Sequence, residues 1–190
     1  NVHRIDKETT GALVVAKDNK LHEELSLQLQ DKSKGRYYLA LIDCPLKDDI
    51  VVDKPIGRNP KNRLKMDVVP HGRSAKTAFV KLLTSQHGVE LIAAKLFTGR
   101  THQIRVHLNT LGRHILGDDL YGFKSKRDKI SRVNLHAYLL YLVHPVSGVR
   151  MEFVAPLFED MKVYISKNFD QGEVDEKIDP HTLGTLFNNL

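Results

Sequence analysis

The pattern that most limits how this chain can fold is a series of strand-length apolar runs broken by turn residues. The clearest covers residues 36–42, Arg-Tyr-Tyr-Leu-Ala-Leu-Ile. Aromatic and β-branched towards its ends, it reads as a strand, and period-two alternation puts Tyr38, Ala40 and Ile42 on one face and Tyr37, Leu39 and Leu41 on the other. Small Ala40 beside Tyr38 leaves room above the ring. Residues 12–16 read as a short buried strand, and residues 66–69, 75–82, 89–96, 134–143 and 149–154 as further strands. Ser85-Gln86-His87-Gly88 and Pro145-Val146-Ser147-Gly148 supply turns. Helical spacing is confined to three places. Asp18 caps a helix in which Leu21, Leu25 and Leu29 recur every four residues, ending near Gly35, with His22 facing solvent. Thr101 caps a second, with Ile104, Leu108 and Leu111 on its buried side, His102, Arg105 and Asn109 on another, and Gly112 at its end. Met161, Tyr164 and Ile165 mark a closing helix.

A length of 190 residues makes one domain the default, and 41% hydrophobic with 27% charged residues is the balance of a soluble globular protein. No apolar run approaches the roughly 20 residues that a membrane span needs, and no basic-then-apolar leader opens the chain. Cys44 is the lone cysteine, which excludes an internal disulfide and fits a reducing compartment such as the cytoplasm. The net charge of +6 is uneven. Residues 170–190 hold five acids against Lys177, a net of −4, so the rest of the chain carries +10. The expected organisation is a body over residues 1–169 and an acidic tail over 170–190, either disordered or docked on the basic body. So basic a body suits a polyanionic partner, because phosphate neutralisation supplies most sequence-independent affinity for nucleic acid.

Two stretches concentrate chemistry. Residues 54–65 contain Lys54, Arg58, Lys61, Arg63 and Lys65, two prolines and no acid, which reads as an irregular cationic loop suited to gripping phosphates. The other is His3-Arg4-Ile5-Asp6-Lys7-Glu8-Thr9-Thr10-Gly11. Asp6 sits between Arg4 and Lys7, and positive neighbours favour the charged form of a carboxylate, which can act as nucleophile or general base. By spacing alone the stronger reading is a surface Asp at a strand-entry turn with solvated basic neighbours. Arg105, on a helix packed under a sheet, requires an anionic partner. Metal chemistry is not expected: no His-Glu-x-x-His or cysteine pair occurs, and His102 and His107 are five apart rather than four. Neither a P-loop, a Gly-x-Gly-x-x-Gly nor a Gly-x-Ser-x-Gly elbow is present.

The stretch from His3 to Gly11, running on to Ala16-Lys17, is similar to the signature around the essential Asp of the RluA/RluD family of RNA pseudouridine synthases. Further stretches resemble that family in its order: Arg36-Tyr37-Tyr38-Leu39-Ala40, Pro55-Ile56-Gly57-Arg58 with Lys65-Met66, Thr98 to Arg105, Gly117-Asp118-Asp119-Leu120-Tyr121-Gly122, and Leu135-His136-Ala137 through His144-Pro145. The resemblance implies an α+β fold, with a long, mixed, mostly antiparallel sheet, packed helices and a central catalytic cleft. It implies isomerisation of uridine to pseudouridine without a cofactor, in ribosomal RNA first and transfer RNA second, by a monomer. On the same grounds Asp6 is the essential carboxylate, Tyr38 the tyrosine that stacks on the flipped base, and Arg105 the arginine paired with Asp6. Arg4 would fill the space the base vacates. Lys54, Arg58, Lys61, Arg63, Lys65, Arg100 and His102 would contact RNA. Family members carry an amino-terminal strand before this point, often behind a small RNA-binding domain, so the chain is expected to be a fragment. The family usually has Pro where His114 stands, a change expected to loosen that loop.

Two other classes compete. A non-catalytic basic RNA- or ribosome-binding module explains the charge of the body, but not a carboxylate set among cations meant for phosphate. A glycoside hydrolase would use two acids flanking a bond, with Asp118 and Asp119 the adjacent pair to serve beside Asp6.

Overall fold

The computed structural model describes residues 1–30, 35–125 and 129–190. Its centre is β2 (Gly35–Ile42), buried along its whole length. β2 lies between β7 (Glu90–Leu96) and β8 (Leu135–Val143), antiparallel to both. Beyond β7 come β6 (Lys76–Thr84) and β3 (Ile50–Asp53). Beyond β8 lie β9 (Arg150–Val154), antiparallel, and β1 (Thr10–Gly11), parallel. The result is a seven-stranded, mostly antiparallel mixed sheet, with β4 (Ile56–Arg58) and β5 (Met66–Val68) as a separate hairpin. The α+β architecture implied by the resemblance is therefore present.

The alternation along β2 divides the interior into two layers. Tyr37, Leu39 and Leu41 face a core that includes Met161 and Ile165 of α3 (Glu159–Asn168) and Val174 of α4 (Gln171–Lys177). Tyr38, Ala40 and Ile42 face a second core closed by Ile104 and Leu108 of α2 (Gln103–Thr110). α1 (Asn19–Gln30) lies at one side, where Leu25 packs on Leu140 and Leu142. The Asp18 carboxylate accepts from the Leu21 N–H at 2.8 Å, as an N-cap does.

Several sequence expectations need correction. Residues 12–16 are not a buried strand: β1 covers only Thr10–Gly11, and Leu13 and Val15 are exposed. Their apolar character belongs to one side alone, where Ala12, Val14 and Ala16 pack on Leu140 and Leu142. Residues 54–65 are not wholly irregular, because β4 lies among them, paired with β5. Strand β3 had no counterpart in the sequence reading. Thr101 does not cap α2; His102 takes that position, with a left-handed φ of 57°. His114 does not loosen its loop, since its ring Nδ1 lies 2.9 Å from one oxygen of Asp43 and its backbone N–H donates to the other. The end of α1 near Gly35 falls partly outside the described residues.

The acidic segment is ordered and docked. Val174, Ile178, Leu183 and Phe187 are buried in the first core, and the Phe187 ring meets that of Tyr37 edge-on at 5.3 Å. Asp170 caps α4 by accepting from the Glu173 N–H, so one of the acids that made the segment look like a tail starts a helix.

Buried histidines give the fold a dependence on pH. His107 and His136 each place Nε2 against a backbone carbonyl, of Lys54 and Ala155, and Nδ1 against a threonine hydroxyl, of Thr77 and Thr10. Burial lowers the pKa of both, and burial with the nearby Arg36 charge lowers that of His3 to about 4. Folded pKa values below the unfolded value mean that the unfolded chain binds more protons as pH falls. Stability should be complete above the ordinary histidine pKa of about 6.5 and decline below it, for His3 down to about pH 4. Urea midpoints measured at pH 7.5 and pH 5 should show a lower value at the acid end. Equal midpoints would mean these rings are not held neutral.

Candidate active site

The amino-terminal stretch folds so as to present Asp6. The Thr9 N–H donates to the Asp6 carbonyl at 3.0 Å, closing a turn. Thr10 then hydrogen-bonds the His136 ring at 2.7 Å, and Gly11, with φ 112°, lies against β8. A β-carbon on Gly11 would stand 2.1 Å from the Ala137 carbonyl oxygen, so the close parallel pairing needs glycine there. The Thr-Thr-Gly sequence thus anchors the turn to β8 and leaves the Asp6 side chain over the second core face.

Arg105 comes up from α2 to meet it. Its Nη1 lies 3.2 Å from Asp6 Oδ2, so two side chains far apart in sequence form an ion pair. The rest of the guanidinium is held more tightly. Nε and Nη2 donate to the two oxygens of Asp118, each at 2.8 Å, in a bidentate pair where Asp118 is 1% and Arg105 8% exposed. Burial works against the Arg105 charge, but the hydrogen bonds and charge of Asp118, and then Asp6, outweigh it and raise the pKa. Gly117, with φ 84°, brings the Asp118 loop against the Arg132 carbonyl, where a β-carbon would stand 2.0 Å away. Tyr121 completes this corner, its ring 4.9 Å from the Arg105 guanidinium carbon.

Tyr121 also ties the β4–β5 hairpin to the site. Its hydroxyl accepts from the Met66 N–H at 2.9 Å and lies 2.7 Å from His102 Nδ1. Burial raises the Tyr121 pKa to about 12 and lowers that of His102, with Asp6 opposing the latter shift. Burial thus favours the uncharged form of both groups, which share one hydrogen bond between the phenol oxygen and Nδ1. A left-handed backbone at a histidine costs of order 1 kcal/mol, and such strain collects at functional sites.

Tyr38 lies beside this group, 5% exposed, its pKa raised to about 12 by burial. Its register partners on both neighbouring strands are alanines, Ala94 and Ala137, which keep the surroundings of the ring uncrowded. The β2–β8 register slips between Tyr37 and Tyr38, a bulge of the kind found beside active sites. A solvent-open cleft of about 380 Å³ of empty space is lined by Asp6, Tyr38, Arg4, Arg36, Arg100 and His102, among others.

The remaining expected residues divide. Arg4 is exposed at the cleft, and Arg100 lines it while its Nε donates to the Ser74 carbonyl at 2.7 Å. Lys65 Nζ lies 6.0 Å from the Tyr121 ring centre. Arg58 is exposed and donates to the Arg63 carbonyl, and Lys54, Lys61 and Arg63 are exposed without lining the cleft. Asn109, expected beside His102 and Arg105, is exposed and takes no part. Sequence reasoning missed Asp118 and Tyr121 as site residues. The signal is present in the sequence: Arg105 demands an acid, and both residues lie in the Gly117–Gly122 stretch, where Asp118 reads only as an acid for a hydrolase. Among the described residues no three His, Cys, Asp or Glu side chains gather as metal ligands would, and no helix is long and apolar enough to cross a membrane.

The sequence profile of the RNA pseudouridylate synthase family matches residues 1–110, which include Asp6, Tyr38 and Arg105. An uncharacterised RNA pseudouridine synthase of Helicobacter pylori is 49% identical over 185 residues, covering 94% of this chain and 57% of that protein. Ribosomal large subunit pseudouridine synthase D of Nitrosomonas europaea is 44% identical over 167 residues, covering 84% of this chain and 48% of that one. Among solved structures, human RNA pseudouridylate synthase domain containing 1 superimposes with a TM-score of 0.70 at 28% identity, over 84% of this chain and 70% of that one. The chain belongs to the RNA pseudouridylate synthase family, in its RluA/RluD branch. It spans about half the length of the curated relatives it matches.

The two acids on Arg105 should differ in their weight for stability. Removing one partner of a buried pair costs about 3–5 kcal/mol, so Asp118→Asn should lie near the lower end of that range because the shape is kept. Asp6 is 23% exposed and makes one longer contact, so Asp6→Asn should cost about 1 kcal/mol or less. Urea unfolding of the two variants measures the difference. Equal losses would mean that Asp118 is not the main counter-charge of Arg105.

Proposed function

We propose that this chain isomerises particular uridines of structured RNA to pseudouridine, with ribosomal RNA the first expected substrate and transfer RNA the second. The observation that carries the reading is the Asp6 carboxylate: Oδ2 is held by Arg105, while Oδ1 takes no hydrogen bond among the described residues, in a cleft shared with Tyr38. An aimed carboxylate with one free oxygen can attack the ribose C1′, add to C6 of the base or take a ribose proton to give a glycal. Each route begins at Oδ1. Arg105 fixes the direction of attack, and Asp118, by spanning the other side of the guanidinium, fixes Arg105.

A uracil stacked in a helix cannot reach Asp6, so the nucleotide is flipped out at a cost of a few kcal/mol. Tyr38 offers the apolar surface against which the base stacks. Exposed Arg4 at the cleft replaces the base in the RNA. Arg100, His102 and Lys65 lie along the path of the strand, and Arg58, Lys61 and Arg63 on the neighbouring hairpin supply charge for phosphates. Action as a monomer in the cytoplasm accompanies this reading. A non-catalytic RNA-binding module is the weaker alternative, because it has no use for a buried acid–arginine–acid group that aims a carboxylate into a cationic cleft.

Asp6→Asn should abolish pseudouridine formation in a ribosomal RNA transcript, while RNA affinity stays within a few-fold or improves, since a charge that repels phosphate is lost. Turnover near the normal rate would exclude Asp6 as the reacting group and with it this function. Neutralising Arg58, Lys61 and Arg63 together should weaken RNA binding and flatten its salt dependence by somewhat under one unit of slope per lost phosphate contact. An unchanged slope, read from titrations at several salt concentrations, would return this loop to an ordinary solvated turn.

A further inference from the structure

Arg36 enters the centre of the molecule on β2, two residues before Tyr38. It is 7% exposed, as buried as Arg105. Arg105 has two acids. Among the described residues, no hydrogen bond or ion pair engages the Arg36 guanidinium, and burial lowers its pKa, with the nearby Tyr38 hydroxyl opposing. A buried charge without a partner is strongly disfavoured unless something arrives to meet it.

The guanidinium is not sealed in. Arg36 lines the same cleft as Asp6 and Tyr38. Gly99 makes room for it: a β-carbon at that position would stand 2.6 Å from Arg36 Nη1. Depth argues against an RNA phosphate as the missing partner. The exposed cations Arg58, Lys61 and Arg63 suit the hydrated backbone, whereas a buried planar fork at the level of the sheet matches the edge of a planar base.

The chemistry gives a cation there a use. Attack at C1′ or formation of a glycal breaks the C1′–N1 bond and leaves its electron pair on uracil, spread over N1, O2 and O4. Addition at C6 instead builds an enolate at O4. Either way, negative charge develops on a carbonyl oxygen. The base then forms its bond from C5 to C1′, C5 loses a proton and N1 gains one, so no co-reactant enters.

We propose that Arg36 is a further catalytic residue of this site, donating to a uracil carbonyl oxygen and stabilising the negative charge that forms on the base. The proposal rests on the pseudouridine synthase reading for its reaction and on the unpaired, cleft-facing guanidinium for its residue.

The first test needs no RNA. Barbiturate has the outline of uracil but is an anion at neutral pH. The chain should bind it at least about tenfold more tightly than neutral uracil in NMR titrations, an increment of about 1.4 kcal/mol. Arg36→Met should bring that ratio close to one, and should not lower the urea midpoint, because it removes an unpaired buried charge. In the second test, Arg36→Met should slow single-turnover pseudouridine formation in a ribosomal RNA transcript by about 100-fold, the effect of losing one preorganised donor to an oxyanion. RNA affinity and its salt slope should change little. Gly99→Ala, which keeps the charge but displaces the guanidinium, should also lose barbiturate preference and rate.

Lack of barbiturate preference in the unaltered chain would overturn the proposal whether or not RNA is modified. Loss of that preference in Arg36→Met with a normal rate would also overturn it. Competition of inorganic phosphate with barbiturate, joined to a reduced salt slope in Arg36→Met, would assign the guanidinium to an RNA phosphate instead. Should Arg36→Met not fold, the unaltered chain and Gly99→Ala still decide. Selective barbiturate binding without any pseudouridine would uphold the anion site and count against the reaction assigned to it.

Discussion

The Arg105 guanidinium, gripped by Asp118 on one side and Asp6 on the other, is the contact on which the site depends. It joins three segments that no local rule brings together: the turn before β1, helix α2 and the loop after Gly117. The two acids do different work because their surroundings differ. Asp118, 1% exposed and bidentate, neutralises the buried cation. Asp6 keeps some contact with water and only one bond to Arg105, which leaves an oxygen free. A buried cation with a single acid would fix geometry without aiming anything; with two, the tighter acid balances the charge and the looser one is left available.

The sheet supports this by separating duties between its faces. Leu39, Leu41 and Tyr37 lie under α3, α4 and the carboxy-terminal turn in a predominantly apolar layer. On the opposite face, Ala40, Ala94 and Ala137 surround Tyr38, and these small residues give up packing in exchange for space. Close packing elsewhere makes this affordable. The Tyr37/Tyr38 bulge falls on the same two residues, so the strand that carries the core also changes register at the site.

Much of this was legible in the sequence, for identifiable reasons. The alternation along 36–42 named both faces of β2 correctly, because both faces are buried and each side chain has to commit. The Asp18 cap, the turns at 85–88 and 145–148 and the position of α2 followed from residue chemistry within a few positions. What failed depended on tertiary contacts. Residues 12–16 are apolar because alternate side chains cover Leu140 and Leu142, not because they lie inside the sheet. Thr101 looked like a cap, yet the chain turns through His102, whose ring is fixed by Tyr121 from a later loop. Acids at 170–190 suggested a tail, while Val174, Ile178, Leu183 and Phe187 carried a buried face that charge counting hid. For the site, Asp6, Tyr38 and Arg105 stood out through resemblance. Asp118 did not, although Arg105 called for an acid, because several acids could have answered and only the fold selects one; Arg36 did not, since lacking a partner is a property of the folded chain alone.

The placement of the charges fits a reaction that moves one. On the route by attack at C1′, one of the three open to Asp6, negative charge would leave Asp6 as its oxygen becomes an ester, and appear on the uracil as the C1′–N1 bond breaks. The path has a guanidinium at each end: Arg105 against the carboxylate where the charge begins, Arg36 open to the cleft where the base would sit. A single cation midway would hold the charge at one point and oppose its transfer. Two buried cations of similar exposure would make the ends of the path closer in energy than one. Arg36 must then be unpaired before substrate arrives, because a resident acid would occupy the donors that the base needs. That no acid among the described residues pairs with it is thus, on this reading, as much a requirement of the chemistry as the two acids paired with Arg105.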